Sequence, residues 1–261
     1  MIQLFASIGP FADPGRASTF RRDIWPSLRA ATTSFQRSPF YSRWDPRVLQ
    51  LFLHYGLSPV PTVLYPLPAP SSTTKPAAYT DQAVTLTTPK HQEVFTFSRP
   101  HYTAAINPIT HPDIDPTDTN TPSYRPEPVQ VFTNLPFLRP SVLYIFGENS
   151  VLSTPDLQEA KMSRTGTGVG GSGGRDAGRV ESRVLHGVGH LVPMEAVDRT
   201  ADVIGEWTGS EMQRWRVVQD EWRHDWEGRS VDERRRIRPE WEQAIRESIA
   251  SDTTTQRGSK L

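Results

Sequence analysis

The sequence predicts an α/β fold in which short parallel strands are flanked by helices. The apolar run SVLYIF at 141–146 is continuous, as expected for a parallel strand that is covered on both faces. A second short strand is predicted at 183–185, and a tight turn follows it. After the turn, Pro193 suits a first helical turn, and apolar residues recur at helical spacing through Trp207. Strand, turn and helix together indicate an α/β unit.

The region before the first of these strands predicts mainly helices and loops. Asp45-Pro46 is a start signal and Gly56 a stop signal for a helix that lies between them. Many of the chain's 24 prolines crowd between 59 and 140, so much of that stretch is expected to be irregular. Helices are predicted over 18–25 with Ser18 or Thr19 as the N-cap, over 32–41, 46–55 and 128–135, and a strand over 84–87. The segment 90–97 is compatible with a helix or a strand, and a helix is the preferred interpretation.

The C-terminal third predicts long charged helices. A helix capped by Ser153 or Thr154 is expected between the two strands, and another helix from Glu211 to Gly228. The second of these carries one apolar stripe, interpreted as a face that docks on the chain's own core: Met212, Trp215, Gln219, Trp222 and Trp226. A further helix is predicted at 239–249, and the polar tail from 251 is expected to be disordered.

The turn after the second strand carries the main candidate for catalysis. Gly187 and Gly189 bracket a tight turn, and His190 follows at its tip, where a scaffold commonly presents a catalytic side chain. The pattern G-x-G-H-x-x-P-x-E-A resembles the histidine loop of the α/β-hydrolase fold, in which the histidine is the general base. Glu195 matches the acidic residue of that pattern, and a charge favoured by the helix N-terminus explains it equally well.

Composition excludes several classes of function. Lys plus Arg and Asp plus Glu number 29 each, so charge does not indicate a nucleic-acid partner. The chain contains no cysteine, which excludes disulfides, Cys-ligated zinc and a thiol nucleophile. The sequence contains no run of about 18 apolar residues, so no membrane-spanning helix is predicted. The apolar stretch 1–8 lacks the basic region of a signal peptide, so none is expected.

No cofactor or metal is expected. His111 lies near Asp113, Asp115 and Asp118, but the prolines among them break any regular ligand spacing, and a solvated loop is the better interpretation. The tract TGTGVGGSGG at 165–174 follows a predicted helix rather than a strand, and therefore lacks the context of a dinucleotide fingerprint. It also contains G-x-S-x-G around Ser172, but no strand-to-helix elbow is predicted there, and a mobile loop is expected.

The last three residues, Ser259, Lys260 and Leu261, form the tripeptide that a peroxisomal import receptor reads. They follow a polar stretch in which a receptor could reach them. The sequence therefore predicts a peroxisomal protein whose partner is the import receptor.

Seven segments resemble fungal peroxisomal α/β-hydrolases named as toxin-biosynthesis proteins. These segments are STFRRDIWPS (18–27), FYSRWDPRVL (40–49), TLTTPKHQEVFTF (85–97), YRPEPVQVF (124–132), RPSVLYIFGENSVLSTP (139–155), RTGTGVGGSGG (164–174) and HGVGHLVPMEAVD (186–198). The resemblance implies a remnant of the core at 1–14, a largely helical lid at 15–138, the C-terminal part of the core at 139–207, a helical extension at 208–250 and the signal-bearing tail at 251–261. It places the core strands at 141–146 and 180–185.

The resemblance also implies a function. The parent activity would be hydrolysis or transfer of an acyl ester or thioester in fungal secondary metabolism, on a small acyl substrate. The family's nucleophile elbow precedes the lid, so this chain is expected to be a truncated form without its nucleophile. The alternative is a non-catalytic peroxisomal binding or scaffold protein that retains the lid pocket.

The acid of the expected triad is an open question at this point. The family's turn after the first of these strands often reads G-x-x-D, whereas this chain has Gly147, Glu148, Asn149 and Ser150. Serine therefore stands where the acid would be. Glu148, two positions earlier, is the candidate to orient His190, or else the acid follows an earlier strand, as in some relatives.

Overall fold

The computed structural model describes residues 13–66, 80, 82–97, 109–112 and 126–258. They belong to two compact units, the first ending at Val203 and the second beginning at Ile204. The elements, in chain order, are α1 (Asp13–Phe20), β1 (Ile24–Trp25), α2 (Leu28–Gln36), a 3-10 turn (Tyr41–Arg43), α3 (Pro46–Tyr55), β2 (Leu57–Pro59), β3 (Val84–Leu86), α4 (Lys90–Phe97), α5 (Glu127–Asn134), a second 3-10 turn (Leu135–Phe137), β4 (Val142–Gly147), α6 (Pro155–Arg164), β5 (Val180–Leu185), α7 (Val192–Glu195), α8 (Val197–Glu227) and α9 (Pro239–Gly258).

The described residues from 13 to 97 form a small module of helices and an antiparallel sheet within the first unit, which is called the cap below. The strand order is β1-β3-β2, with Trp25 opposite Val84 and Leu57 opposite Leu86. Phe35 of α2 packs against Trp25, with 5.2 Å between the ring centroids. Burial of each such large side chain contributes roughly 1.5–3 kcal/mol, so this cluster supplies the module's own core.

N-cap residues set where the helices α2 and α3 begin. The Ser27 side chain accepts a hydrogen bond from the Ala30 amide at the start of α2. Asp45 does the same for Arg47 at the start of α3, and Pro46 occupies the first turn. The predicted helices at 46–55 and 90–97 are confirmed. The strand predicted over 84–87 is present and ends at Leu86.

Two of the predicted helices in this module, at 18–25 and 32–41, have the wrong bounds. The helix expected over 18–25 ends at Phe20, and Trp25 lies in a strand, because β3 provides the pairing partner that local sequence does not reveal. Ser18 is therefore not a cap; its hydroxyl donates to Glu93, 75 residues away. The helix expected over 32–41 is α2, which ends at Gln36, because Pro39 disfavours helical backbone in the residue before it.

The α/β unit is formed by β4, α6 and β5. The two strands are parallel, with Val142 opposite Val180 and Gly147 opposite Leu185. This confirms both predicted core strands and the crossover helix between them. Residues on one face of β4 contact α6 and its C-terminal end: Tyr144 bonds Thr165 through its hydroxyl, at 2.7 Å. On the other face, Ile145 packs against a buried cluster of Leu185, Val188 and Val192.

The residues after β5 form one short and one long helix. Pro193 lies in the first turn of α7, as predicted. The predicted helix from Pro193 to Trp207 is divided at Ala196 into α7 and the start of α8. The pattern from Glu211 continues the same helix α8, because the stretch 208–210 between them contains no proline and one glycine, Gly209, which lowers the helix propensity without ending the helix. The helix thus runs through the expected boundary between 207 and 208.

The second unit, from Ile204, is helical. On the predicted apolar stripe of α8, Trp215 and Trp222 are 54% and 59% exposed. The last helix, α9, continues to Gly258, past the start of the tail that was expected to be disordered. No proline or glycine lies between Pro239 and Gly258, so local sequence permits that extension. Within the described part of the chain, we find no helix long and apolar enough to cross a membrane.

Candidate active site

The site lies at the carboxyl edge of the β4–β5 pair. Parallel strands end at the same edge of a sheet, and ligand sites of open α/β sheets form there. The loop after β4, at 148–150, therefore runs beside the loop after β5, at 186–191. The predicted strands thus place the two sets of candidate residues, the acid turn and the histidine turn, next to each other.

Backbone contacts hold the two loops together. The amide of Glu148 donates to the Leu185 carbonyl at 3.1 Å, and the amide of Asn149 donates to the Val188 carbonyl at 2.9 Å. At Gly147 a Cβ would stand 1.8 Å from the Gly189 carbonyl oxygen, so only glycine allows this approach. Gly187 has a φ of 76°, the left-handed region that favours glycine. The turn glycines are needed for this geometry.

His190 lies at the tip of the second loop, and its side chain is exposed. Its ring Nδ1 lies 2.9 Å from the hydroxyl oxygen of Ser150. Ser150 is 7% exposed, so the ring is anchored from the protein side. Nε2 is the nitrogen left for a reaction partner, which is the arrangement that a general base requires.

Glu148 is not the residue that contacts His190. One of its carboxylate oxygens bonds Nδ1 of His186 at 3.1 Å, and the other accepts the Gly187 amide at 2.8 Å. The Gly187 hydrogen bond, followed by that of His186, lowers the pKa of Glu148 below its usual value. The carboxylate thus stabilises the start of the histidine loop, and the structure does not bring it to the His190 ring as the sequence interpretation expected.

Glu195 holds the other end of the same loop. Its carboxylate accepts the Gly189 amide at 2.8 Å and forms an ion pair with Arg43 of the cap at 3.2 Å. Glu195 also lies in the first turn of the four-residue helix α7, the position that the helix N-terminus interpretation expects. Arg43 carried no sequence signal of a role at the site, since its partner lies 152 positions away.

Further contacts seat the cap on the histidine loop. The amide of Asp45 donates to the Met194 carbonyl at 2.8 Å, and Arg47 bonds both Asp45 and Asp198. An open cleft of about 320 Å³ lies at this junction, with Asp45, His186 and Glu195 among the residues that line it. The cap and the α/β unit thus meet beside His190's loop.

Ser172 is held away from this edge. The 165–174 tract lies between α6 and β5, at the amino end of β5, whereas His190 follows its carboxyl end. The tract is more ordered than the mobile loop that the sequence predicts: the Ser172 amide donates to the Leu138 carbonyl, and the Gly168 amide to the Pro136 carbonyl. Its glycines permit these bonds, because Gly166, Gly170, Gly173 and Gly174 all have positive φ.

Several sequence candidates lie outside the described residues. They are the import tripeptide Ser259, Lys260 and Leu261 and the loop carboxylates Asp113, Asp115 and Asp118. Among the residues that the structure does describe, no group of three or more His, Asp or Glu side chains is arranged to hold a metal ion.

Several known proteins similar to this chain come from fungi. It is 35% identical over 227 residues to the type I acyl-CoA thioesterase mpaH of Penicillium roqueforti, a match that covers 83% of this chain and 52% of the thioesterase. It is 26% identical over 213 residues to the abhydrolase domain-containing protein ACTT2-1 of Alternaria alternata, a match that covers 79% of this chain and 72% of that protein. The chain is a homologue of fungal abhydrolase-domain proteins. The predicted α/β-hydrolase relationship is thereby confirmed.

The chain spans about half the length of the thioesterases that it matches: 52% of the Penicillium roqueforti protein and 50% of the mpaH' thioesterase of Penicillium brevicompactum. Among solved structures, the peroxisomal α/β-hydrolase Lpx1 of Saccharomyces cerevisiae resembles it with a TM-score of 0.48 and 12% identity, over 95% of this chain and 49% of that one. No family model matches the sequence.

Proposed function

We propose that this chain supplies the general base and the cap of a peroxisomal hydrolase that acts on acyl thioesters. The observation that carries the proposal is the placement of His190 at the carboxyl edge of the parallel strands, exposed and held through Nδ1. The relatives named acyl-CoA thioesterases support the thioester as the substrate class. A small acyl thioester, rather than a macromolecule, is the expected substrate.

The chemistry follows from the free nitrogen of His190. Nε2 takes the proton of a serine hydroxyl while its oxygen attacks the thioester carbonyl. The tetrahedral intermediate expels the thiolate, which receives that proton from the imidazolium. Water then attacks the acyl-enzyme while His190 takes a proton from it. The serine oxygen leaves and receives that proton from the imidazolium, and the carboxylic acid is released. Each proton taken up by the ring is returned, so the histidine is regenerated.

The nucleophile in this proposal comes from polypeptide outside the printed 261 residues. Ser172, the serine of the G-x-S-x-G match, lies at the amino end of β5, and its hydroxyl contacts the Gly174 amide at 3.4 Å. The thioesterase relatives are about twice as long as the matched region, which leaves room in such proteins for further elements. A complete enzyme is therefore the form in which His190 would act.

A chimera tests the proposal. The part of the Penicillium roqueforti thioesterase that the match does not cover is joined to this chain, and thiol release from acyl-CoA is measured for the chimera, for the 261-residue chain and for their His190→Ala variants. We expect turnover only from the chimera, with a loss of at least about 10³-fold in His190→Ala, because the residual rate without the base comes from binding and the oxyanion hole.

The matched control is His186→Ala, which removes an exposed histidine four residues away on the same loop. It should retain most of the chimera's turnover, since the His186 ring binds Glu148 rather than a reacting group. Turnover that is indifferent to His190 would contradict the proposal. Acyl-thioester binding without any turnover in the chimera would favour the alternative, a non-catalytic binding protein.

The proposed location is the peroxisome, and the import receptor is the proposed partner. Ser259, Lys260 and Leu261 support both, because a free C-terminal Ser-Lys-Leu is the address that this receptor reads.

A further inference from the structure

Ser150 occupies a defined and enclosed position. It comes three residues after the end of β4, and its amide donates to the Gly147 carbonyl at 3.1 Å, which closes a tight turn. Its own carbonyl accepts the Ser153 amide at 3.2 Å. With 7% of the residue exposed, the hydroxyl has little choice of partners. The oxygen lies 2.9 Å from Nδ1 of His190.

Backbone contacts hold the two loops that carry Ser150 and His190 next to each other. The Asn149 amide is bonded to the Val188 carbonyl, and Gly147 touches Gly189 without room for a Cβ. Both loops are therefore fixed relative to each other within one residue of Ser150 and His190. A serine side chain has a single rotatable bond to its oxygen, so little entropy is lost in holding the contact.

We infer that Ser150 is the positioning residue of His190: its hydroxyl accepts the Nδ1–H and so directs the basic Nε2 toward the reacting hydroxyl. This inference rests on the proposed function for its catalytic consequence. A hydroxyl has one hydrogen and two lone pairs, so it can accept from the neutral ring and from the protonated ring, but it can donate only to the neutral ring. Acceptance is thus the role that persists while the ring gains and returns a proton.

A neutral partner gives orientation without charge. A carboxylate in the same place would also stabilise the imidazolium that forms during catalysis, which a hydroxyl does much less well. The nearby carboxylate of Glu148 does not replace it, because its oxygens are bonded to His186 and Gly187. Ser150→Asp is therefore expected to improve the base, and Ser150→Ala to leave the ring without its anchor.

The direct test reads the ring itself. Nitrogen-15 NMR of the full 261-residue chain, at a pH high enough for neutral imidazole, shows which ring nitrogen carries the proton. We expect the Nδ1–H form to dominate in the parent and in Ser150→Asp. In Ser150→Ala we expect a shift toward Nε2–H. Ser153→Ala is the matched control: it removes a buried hydroxyl three residues away that has no hydrogen-bond partner, and it should leave the His190 signals unchanged.

The kinetic arm uses the chimera. We expect Ser150→Ala to lower kcat at least about 10-fold with little change in KM, and Ser150→Asp to raise kcat, whereas Ser153→Ala matches the parent. A dominant Nε2–H form in the parent, or the same tautomer in parent and Ser150→Ala, overturns the inference even if the chimera is active. An inactive chimera with the expected tautomers leaves the role of Ser150 at the ring intact and overturns the proposed function instead.

Discussion

At the scale of single residues, Gly147 shows how little space separates the two loops of the site. A Cβ there would lie 1.8 Å from the Gly189 carbonyl oxygen. We expect Gly147→Ala to push the loops apart and to lower the free energy of unfolding by about 1–3 kcal/mol, the usual cost of overpacking. Denaturant titration of the chimera, which is expected to unfold cooperatively, measures this. Gly205→Ala places the same methyl group in open space within α8 and should be neutral or stabilising by up to about 1 kcal/mol; equal losses would contradict the explanation.

Asp45 makes a second prediction at this scale, about pH. The Arg47 side chain, followed by the Arg47 amide, lowers the pKa of this carboxyl from 3.8 to about 2. Because the folded-state pKa is the lower one, the stabilising contribution is complete above about pH 4 and is lost as the pH falls through about 2.

The measurement compares the free energy of unfolding of the parent chimera with that of its Asp45→Asn variant, which keeps an oxygen at the helix N-cap. The advantage of the parent should shrink between about pH 5 and about pH 2, the interval that contains both pKa values. A difference that stays constant over this interval would show that the carboxylate charge does not matter there.

At the scale of elements, Glu195 joins the cap to the histidine loop. Its carboxylate accepts the buried Gly189 amide and pairs with Arg43, and 11% of its side chain is exposed. We expect Glu195→Ala to cost about 1–3 kcal/mol, because it leaves that amide without an acceptor. Glu195→Gln retains an acceptor and should cost less. Hydrogen exchange at the Gly189 amide should accelerate most in Glu195→Ala; unchanged exchange there would rule out this role.

At the scale of the whole molecule, the proposed location can be tested directly. A fluorescent protein fused to the N-terminus should enter peroxisomes, and removal of Ser259, Lys260 and Leu261 should leave it in the cytosol. One alanine added after Leu261 is the finer control, because the receptor reads a free C-terminal tripeptide. Peroxisomal fluorescence from the deleted form would contradict the assignment.

The size of the α/β unit leads to a prediction about folding. Among the described residues, β4 and β5 form a sheet of two strands, and such a pair is at best marginally stable by itself. We expect the 261-residue chain to unfold over a broad temperature range and to associate. The chimera should show a sharper transition. A monomeric 261-residue chain with one sharp calorimetric transition would be inconsistent with this.

Local patterns were sufficient for much of the fold and for His190. Local backbone preferences determine three of the predicted features: the strand at 141–146, the helix start at Asp45-Pro46 and the glycine turn. The structure places these elements where they were predicted. The histidine turn is readable for the same reason: strand, glycines and helix are consecutive, so its form is a local property.

Only the tertiary structure decided which side chains meet. Trp25 became a strand residue because β3 lies beside it, although Trp25 and its register partner Val84 are 59 positions apart in the sequence. Glu148 and Ser150 both lie in the turn after β4, and the sequence does not show which of them contacts His190. In the parallel alignment of the strands, Ser150 contacts the His190 ring and Glu148 contacts His186. Such partners depend on strand register and on backbone contacts between distant loops, which no local pattern encodes.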